Sequence, residues 1–289
     1  MAGALLSLAA DGGTAAAVFA SPGRTLLRLW SGPGSRPDDD GELSASASTE
    51  LYAGDESKLW RLLRVREVRG SGEVAMAAAT KDRIGLWVLG TDTICFNEVE
   101  ARATELSIDP EARLVASIES SRLIFRDRSL ESLQSFALEG GINSTYNLRF
   151  TEIDGAAALL VTFASRLLVM SCPPDAKELL RYEYEGRGQI ISFEWSTSNI
   201  FVGYSSMGSI KHFRVVGKPS ELGLVEVKHL DIAKEMRYSL DPQSNVPNPF
   251  EPLIMVAQDR WLIVLTAFCL LIVDAEVSSN LFTISYSLA

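Results

Sequence analysis

An all-β fold made of one repeated four-strand unit, a β-propeller, is what this sequence predicts, and three observations carry the prediction. The first is period. Strand candidates begin at Arg122, Arg166 and Ser209, intervals of 44 and 43 residues, and Arg83 precedes Arg122 by 39. Propeller blades recur at about 40–45 residues. The second is alternation: Ala103-Thr-Glu-Leu-Ser-Ile-Asp109 switches between small or apolar and polar residues, as a half-buried strand does. The third is turn chemistry at matching places. Pro110, Ser120-Ser121, Asp154-Gly155 and Met207-Gly208 separate the runs, and Asp-Gly between apolar segments is a hairpin signal because both residues tolerate positive φ.

Taken in order, Ala4–Ala10, Thr14–Ala20 and Thr25–Trp30 read as three strands of a first blade. Residues 32–57, rich in Gly, Pro, Ser and Asp up to Ser48, read as a flexible surface excursion. Lys58–Val68 fits a short helix or a strand; the strand is favoured because Glu73–Thr80, Arg83–Val88 and Thr93–Val99 follow in blade order. The next units are 103–138, 146–184 and 190–230, with Leu133–Leu138, Lys177–Tyr184 and Leu224–Leu230 as their outer strands. Residues 231–252 form an irregular insertion, because prolines at 242, 247, 249 and 252 break regular structure across its second half. Leu253–Ala257, Trp261–Leu265 and Phe268–Asp274 restore the pattern, and Leu281–Ser287 is a last strand.

Six blades are legible, starting near residues 4, 58, 103, 146, 190 and 253. The expectation is a single domain over 1–289 with six to seven four-stranded blades. Leu281–Ser287 is placed to close the ring by completing the blade of the other terminus, which would remove an open sheet end.

At 289 residues and 47% hydrophobic content the chain can bury a large core. A net charge of −10 argues against a general nucleic-acid surface. The cysteines, 95, 172 and 269, are odd in number and show no CxxC pairing, so neither a disulfide framework nor a zinc ribbon is indicated. Leu5-Leu6-Ser-Leu8 has no basic region before it and Asp11-Gly12-Gly13 interrupts it, unlike a secretory leader. A cytoplasmic or nuclear location is therefore expected. Asn143-Ser144-Thr145 matches a glycosylation triplet but reads as a turn. Trp261–Val273 is too short for a membrane span, which takes about 20 residues, and reads as two buried strands around Thr266.

In period and strand order, over most of its length, the chain resembles the WD40 superfamily. Its signatures are degraded. Trp30 and Trp87 stand at the Trp position without the Asp, Val273-Asp274 keeps the Asp without the Trp, and Phe213-Arg214 has neither. With histidine only at 212 and 229 there is no Gly-His dipeptide. The Asp-His-Ser/Thr-Trp networks of regular WD repeats cannot form, so apolar packing is expected to hold the blades. The resemblance implies a WD40-like propeller of the kind found in trafficking, tethering and scaffold proteins, an analogy of fold alone.

Catalytic motifs fail on spacing. Gly203-Tyr-Ser205-Ser-Met-Gly208 lacks the Gly two residues after the Ser that a nucleophile elbow needs. Gly217-Lys218 is followed by Pro219 and lacks the upstream Gly of a P-loop. Asp38-Asp39-Asp40-Gly41 has no later carboxylate at calcium-loop spacing. His212 and His229 have no acidic partner in a recognisable motif. No cofactor or metal site is expected.

Tyr182 and Tyr184 alternate with Glu183 and Glu185 on an outer strand and so share one face, either as binding anchors or as packing against a neighbouring blade. Together with Phe250 in the 231–252 excursion they are the candidate partner-binding residues. The expected function is a non-enzymatic protein-interaction scaffold, a subunit of an intracellular multiprotein complex. The alternative is an enzyme or small-molecule-binding propeller with a central-channel site.

Overall fold

The computed structural model describes residues 4–11, 14–21, 24–30, 48–54, 60, 62–90, 93–138, 147–153, 155–163, 165–183, 190–196, 199–204, 208–218, 221–232, 252–258, 261–267, 269–274 and 281–285. These form six four-stranded sheets, each with its strands hydrogen-bonded in chain order.

The first sheet is β1 (Ala4–Asp11), β2 (Thr14–Ser21), β3 (Arg24–Trp30) and β4 (Ser48–Gly54). The second is β5 (Leu62–Glu67), β6 (Val74–Ala79), β7 (Arg83–Leu89) and β8 (Ile94–Glu100). The third is β9 (Ala103–Ile108), β10 (Leu114–Glu119), β11 (Arg122–Asp127) and β12 (Ser132–Ala137). The fourth is β13 (Asn147–Ile153), β14 (Ala156–Thr162), β15 (Arg166–Ser171) and β16 (Glu178–Glu183). The fifth is β17 (Ile190–Ser196), β18 (Asn199–Tyr204), β19 (Ser209–Lys218) and β20 (Glu221–Asp231). The sixth is β21 (Ile254–Gln258), β22 (Trp261–Leu265), β23 (Cys269–Asp274) and β24 (Leu281–Ser285).

The sheets start where the sequence period places them, and Leu62–Glu67 takes the strand option. Two expectations are corrected. Ser48–Gly54, assigned to the surface excursion, is the fourth strand of the first sheet and pairs with β3; the rest of 32–57 lies outside the described residues. The last strand does not complete the blade of the other terminus. It pairs antiparallel with β23, Leu281 opposite Val273 and Ser285 opposite Cys269, and so completes its own sheet. A neighbour in the same hairpin costs less loop entropy than a strand at the far end of the chain. Residues 233–251 of the expected insertion are outside the described residues.

The tight turns follow their residues. Glu119 and Arg122 pair around Ser120-Ser121, whose φ values of 48° and 65° make a two-residue loop with both centres left-handed. Gly155 carries φ 77° in the Asp-Gly hairpin. In the β9–β10 turn, Asp109 Oδ1 accepts the Leu114 N–H at 2.7 Å. In the β11–β12 turn, Asp127 Oδ1 accepts the N–H groups of Ser129 and Glu131 at 2.9 and 3.0 Å. A register shift recurs between third and fourth strands in the first, third, fourth and fifth sheets. Such bulges increase the twist of an edge strand and blunt it against edge-to-edge pairing.

The chain divides into two compact units, 1–151 with 172–176, and 152–171 with 177–289. In the first unit β5 lies against β1 and β2, and β9 against β5 and β6, so the leading strands of successive sheets adjoin. One face of the second sheet packs on the third through Ala75, Ala77, Ile84, Leu86, Leu106 and Val115. Its opposite face gathers Trp60, Leu63, Val65, Met76 and Trp87. Phe150 N–H donates to Ser107 Oγ at 3.2 Å and its ring meets Phe125 edge-on. In the second unit, Ala158, Leu160, Val169, Val202, Tyr204 and Phe213 form one core. Phe201, Ile210 and Leu230 pack on Met255, Val264 and Leu271 in another.

Candidate functional site

Burial is graded across the second, third and fourth sheets. The second and third strands are interior, as in β6, every residue of which is buried, whereas the fourth strands β8, β12 and β16 are largely exposed or half-buried. Outer strands and turns are therefore the chemical surface this fold offers.

Among the sequence-predicted residues, Tyr182 lies on β16 half-buried. Its ring rests on Phe213 at 4.8 Å between centroids, and its hydroxyl is 3.2 Å from that of Tyr204. It packs against the neighbouring sheet, one of the two roles its alternation allowed. Tyr184 and Phe250 lie outside the described residues.

Exposed apolar side chains that sequence reasoning passed over stand on the outer strands. Ile94 and Phe96 share one face of β8, 55% and 47% exposed, with the Phe96 ring 4.7 Å from the buried Trp87. Val225 and Val227 of β20 are 51% and 45% exposed, and Val216 of β19 is 41% exposed. The signal was in the sequence: Ile94-Cys-Phe96 and Val225-Glu-Val227 each repeat an apolar residue at two-residue spacing in an outer strand. Scattered surface apolar residues mean little, but paired ones on an edge strand form a small sticky surface.

The titratable groups have structural roles. Arg126 Nη2 donates to both carboxylate oxygens of Glu119, at 2.9 and 3.1 Å, and its Nη1 donates to Leu130 O at 3.2 Å. Ser117 Oγ donates to the same carboxylate. This network ties β10 to β11 within the third sheet, while apolar clusters join neighbouring sheets. Arg64 joins leading strands, with Nε donating to Leu106 O at 3.0 Å and Nη2 to Glu105 at 2.9 Å. Burial nevertheless pushes the Glu105 carboxyl up, against the pull of Arg64. The Cys172 thiol is pushed up to about 12, by burial first and then by the Asp109 carboxylate, with Arg113 opposing. A thiol held so far above neutrality is a poor nucleophile. Among the described residues no group of three or more His, Cys, Asp or Glu is arranged to hold a metal ion. No helix among them is long and apolar enough to cross a membrane.

His212 is buried on β19. Its ring stacks on Phe201 at 4.6 Å, Nε2 lies 2.8 Å from Asn199 Oδ1, and Nδ1 is buried without a partner. Burial first, then the charges of Arg214 and Lys228, lower its pKa from 6.5 to about 4. The unfolded chain thus binds one more proton between these values, and the stability from the neutral ring, complete above pH 6.5, is lost as pH falls towards 4. The denaturation midpoint of the wild type should drop between pH 7 and pH 4.5 by more than that of His212→Phe. Equal drops in both would show that the ring is solvated in the folded protein.

No protein-family model matches the chain, and no curated protein matches it either. Solved structures do. The β-propeller domain of Myceliophteria thermophila Cps50 (Swd1) is 12% identical with a TM-score of 0.57, covering 91% of this chain and 79% of that one. A putative 6-phosphogluconolactonase from Bacteroides uniformis is 11% identical with a TM-score of 0.57, covering 96% and 82%. The dihydro-heme d1 dehydrogenase NirN is 14% identical with a TM-score of 0.61; 97% of this chain is covered, but it spans only 57% of NirN. The repeated four-stranded sheets and these likenesses define the class: this chain has a β-propeller fold. Its four-stranded sheets recur in chain order, as that architecture requires. At identities of 11–14% the likeness carries the fold and nothing finer.

Proposed function

We propose that the chain is a non-enzymatic protein-interaction scaffold, a propeller subunit of an intracellular, cytoplasmic or nuclear, multiprotein complex. One observation carries the reading: exposed apolar pairs stand on outer strands, Ile94 with Phe96 and Val225 with Val227, where a partner can cover them. The described ionisable groups fit it, since Glu119, Arg126, Asp109 and His212 are engaged in the sheets and turns. Tyr182, Tyr184 and Phe250 remain candidate partner-binding residues within this proposal.

The test is affinity purification of the full chain from its native cell with quantitative mass spectrometry, alongside a 231–252 deletion and a Phe96→Lys variant. Stoichiometric partners lost selectively from one variant are the expected result and would locate the interface. A chain recovered alone at native expression would sink the scaffold reading. It would favour the second one, a small-molecule or catalytic site in the channel, for which the likeness in fold to a putative 6-phosphogluconolactonase and to the dehydrogenase NirN is the motive.

A further inference from the structure

The outer strands differ in how their free edges are treated. β4, β12, β16 and β20 each carry a register shift against the third strand of their sheet. In β12 the exposed Leu133 is the extra residue of that bulge. Gln134 beside it is tied to the Ala176 main chain, donating to its O at 3.3 Å and accepting its N–H at 3.2 Å. β8, in the first unit, has no bulge. It pairs with β7 through seven consecutive residues, from Ile94 opposite Leu89 to Glu100 opposite Arg83. β24 is also unshifted, but pairs over five. Among the described residues no strand pairs with the other side of β8. Ile94, Cys95 and Phe96 are exposed in succession.

The ladder fixes which main-chain groups of β8 face outwards. Gly90 N–H donates to Thr93 O at 2.8 Å beyond one end, and Ala101 N–H to Asp82 O at 2.9 Å beyond the other. Hydrogen-bonded pairs alternate along antiparallel strands, so those between are Val88 with Cys95, Leu86 with Asn97 and Ile84 with Val99. Ile94, Phe96 and Glu100 therefore turn their N–H and C=O groups to the outer edge. Their side chains also share one face. Ile94 and Phe96 are 55% and 47% exposed. The Glu100 side chain is 85% exposed, 3.7 Å from Arg83, whose guanidinium also holds Glu98 at 3.1 Å. One guanidinium between two carboxylates leaves that end of the row negative. The opposite face is engaged: Asn97 Nδ2 donates to Arg128 O at 2.9 Å, and Val99 packs on the core shared with the third sheet.

We propose that the edge of β8 is a strand-addition site for an extended segment of a partner protein, apolar at alternate positions and basic where it passes Glu100. Main-chain donors and acceptors at strand spacing, on an edge with no bulge to blunt it, are matched by another strand. The side chains then choose among strands: Ile94 and Phe96 select apolar neighbours, and the carboxylate end selects a cation. An antiparallel segment runs from Glu100 towards Ile94, so its basic residue comes first. A second copy of the chain does not match, because β8 paired with itself over its length sets Ile94 against Glu100 and Phe96 against Glu98. The proposal rests on the scaffold reading and names the kind of partner that covers the Ile94 and Phe96 pair.

The probe is a fluorescein-labelled peptide, Lys-Thr-Lys-Thr-Val-Thr-Val, titrated with the purified full chain and read by fluorescence anisotropy. A dissociation constant below about 1 mM is expected. In the antiparallel alignment the fifth residue of the peptide lies opposite Phe96 and its N–H points to β8, while that of the fourth points away. N-methylation of the fifth residue should weaken binding at least about tenfold, and N-methylation of the fourth less than about threefold. Ile94→Pro should also weaken binding, because it removes an outward N–H at the first residue of the strand, where proline leaves the β7 pairing intact. Ile94→Val keeps the N–H and the apolar side chain and should bind as the wild type does. Should Ile94→Pro fail to fold, the two methylated peptides decide the matter on the wild type. No binding up to about 1 mM, equal effects of the two methylations, or self-association of the chain through β8 in place of peptide binding would each overturn the proposal. If partners are nonetheless recovered from the cell, the scaffold reading stands and strand addition alone falls; a chain recovered alone strikes both.

Discussion

Replacing Arg126 with Ala is expected to destabilise the protein by about 3–5 kcal/mol. The side chains of Arg126 and Glu119 are 9% and 14% exposed, and Arg126 Nη2 is shared between the two carboxylate oxygens. Removing the guanidinium leaves a carboxylate in a site where only the Ser117 hydroxyl still donates to it. It also strips the Leu130 carbonyl, at the β11–β12 turn, of its side-chain donor. Attraction in the wild type offsets the desolvation of both groups, so deleting one partner costs more than deleting both. The double variant Glu119→Leu/Arg126→Met should accordingly recover most of the loss. Urea unfolding reads this directly: with slopes of about 1–3 kcal/mol/M, the single variant should shift its midpoint by about 1 M or more. A loss below about 1 kcal/mol for Arg126→Ala would mean that the pair behaves as a solvated surface bridge.

The second large effect is at Trp87. Truncation to Ala should cost about 3–5 kcal/mol, as expected for emptying a large aromatic site in a packed core. Trp87 is 3% exposed, meets Trp60 edge-on at 5.0 Å, and supports Phe96 on its outer side. The site was made for these rings. A Cβ added at Gly85 would lie 2.8 Å from both Trp60 and Trp87, below any ordinary contact. Gly85→Ala should therefore lose about 1–3 kcal/mol by overpacking, though it adds one methyl group and improves strand propensity. Thermal or urea unfolding of both variants is the check. A neutral Gly85→Ala would show that the two tryptophans can move aside. Trp87→Ala should also remove the floor beneath Phe96, so any partner that binds there should be lost with it.

The strand pattern was legible because its physics is local. Alternation, a period near 43 residues and turn residues such as Ser120-Ser121 and Asp154-Gly155 each act within a few positions. The strand at Ser48–Gly54 was missed because Ser-Thr-Glu-Leu-Tyr-Ala-Gly follows a run of loop-forming residues, and only pairing with β3 makes it regular. The closing role expected of the last strand failed for a related reason. Apolar alternation says that a strand needs a neighbour, and chain proximity selects β23.

The candidate site was harder to read, because a side chain's role depends on what lies across from it. Tyr182 and Phe96 both sit on outer strands with polar neighbours. One ring lies on Phe213 with its hydroxyl at Tyr204, while the other stays 47% exposed beside Trp87. Glu119 and Arg126 read as ordinary strand-end charges until the β10–β11 register sets them on one buried face. By itself the sequence determined the all-β class, the repeat and six sheet starts, since these follow from backbone preference and the two-residue period of a strand. Tertiary structure alone decided which charges are paired and which aromatics are covered. Burial belongs to the surfaces that meet across sheets, and those lie tens of residues apart in the chain.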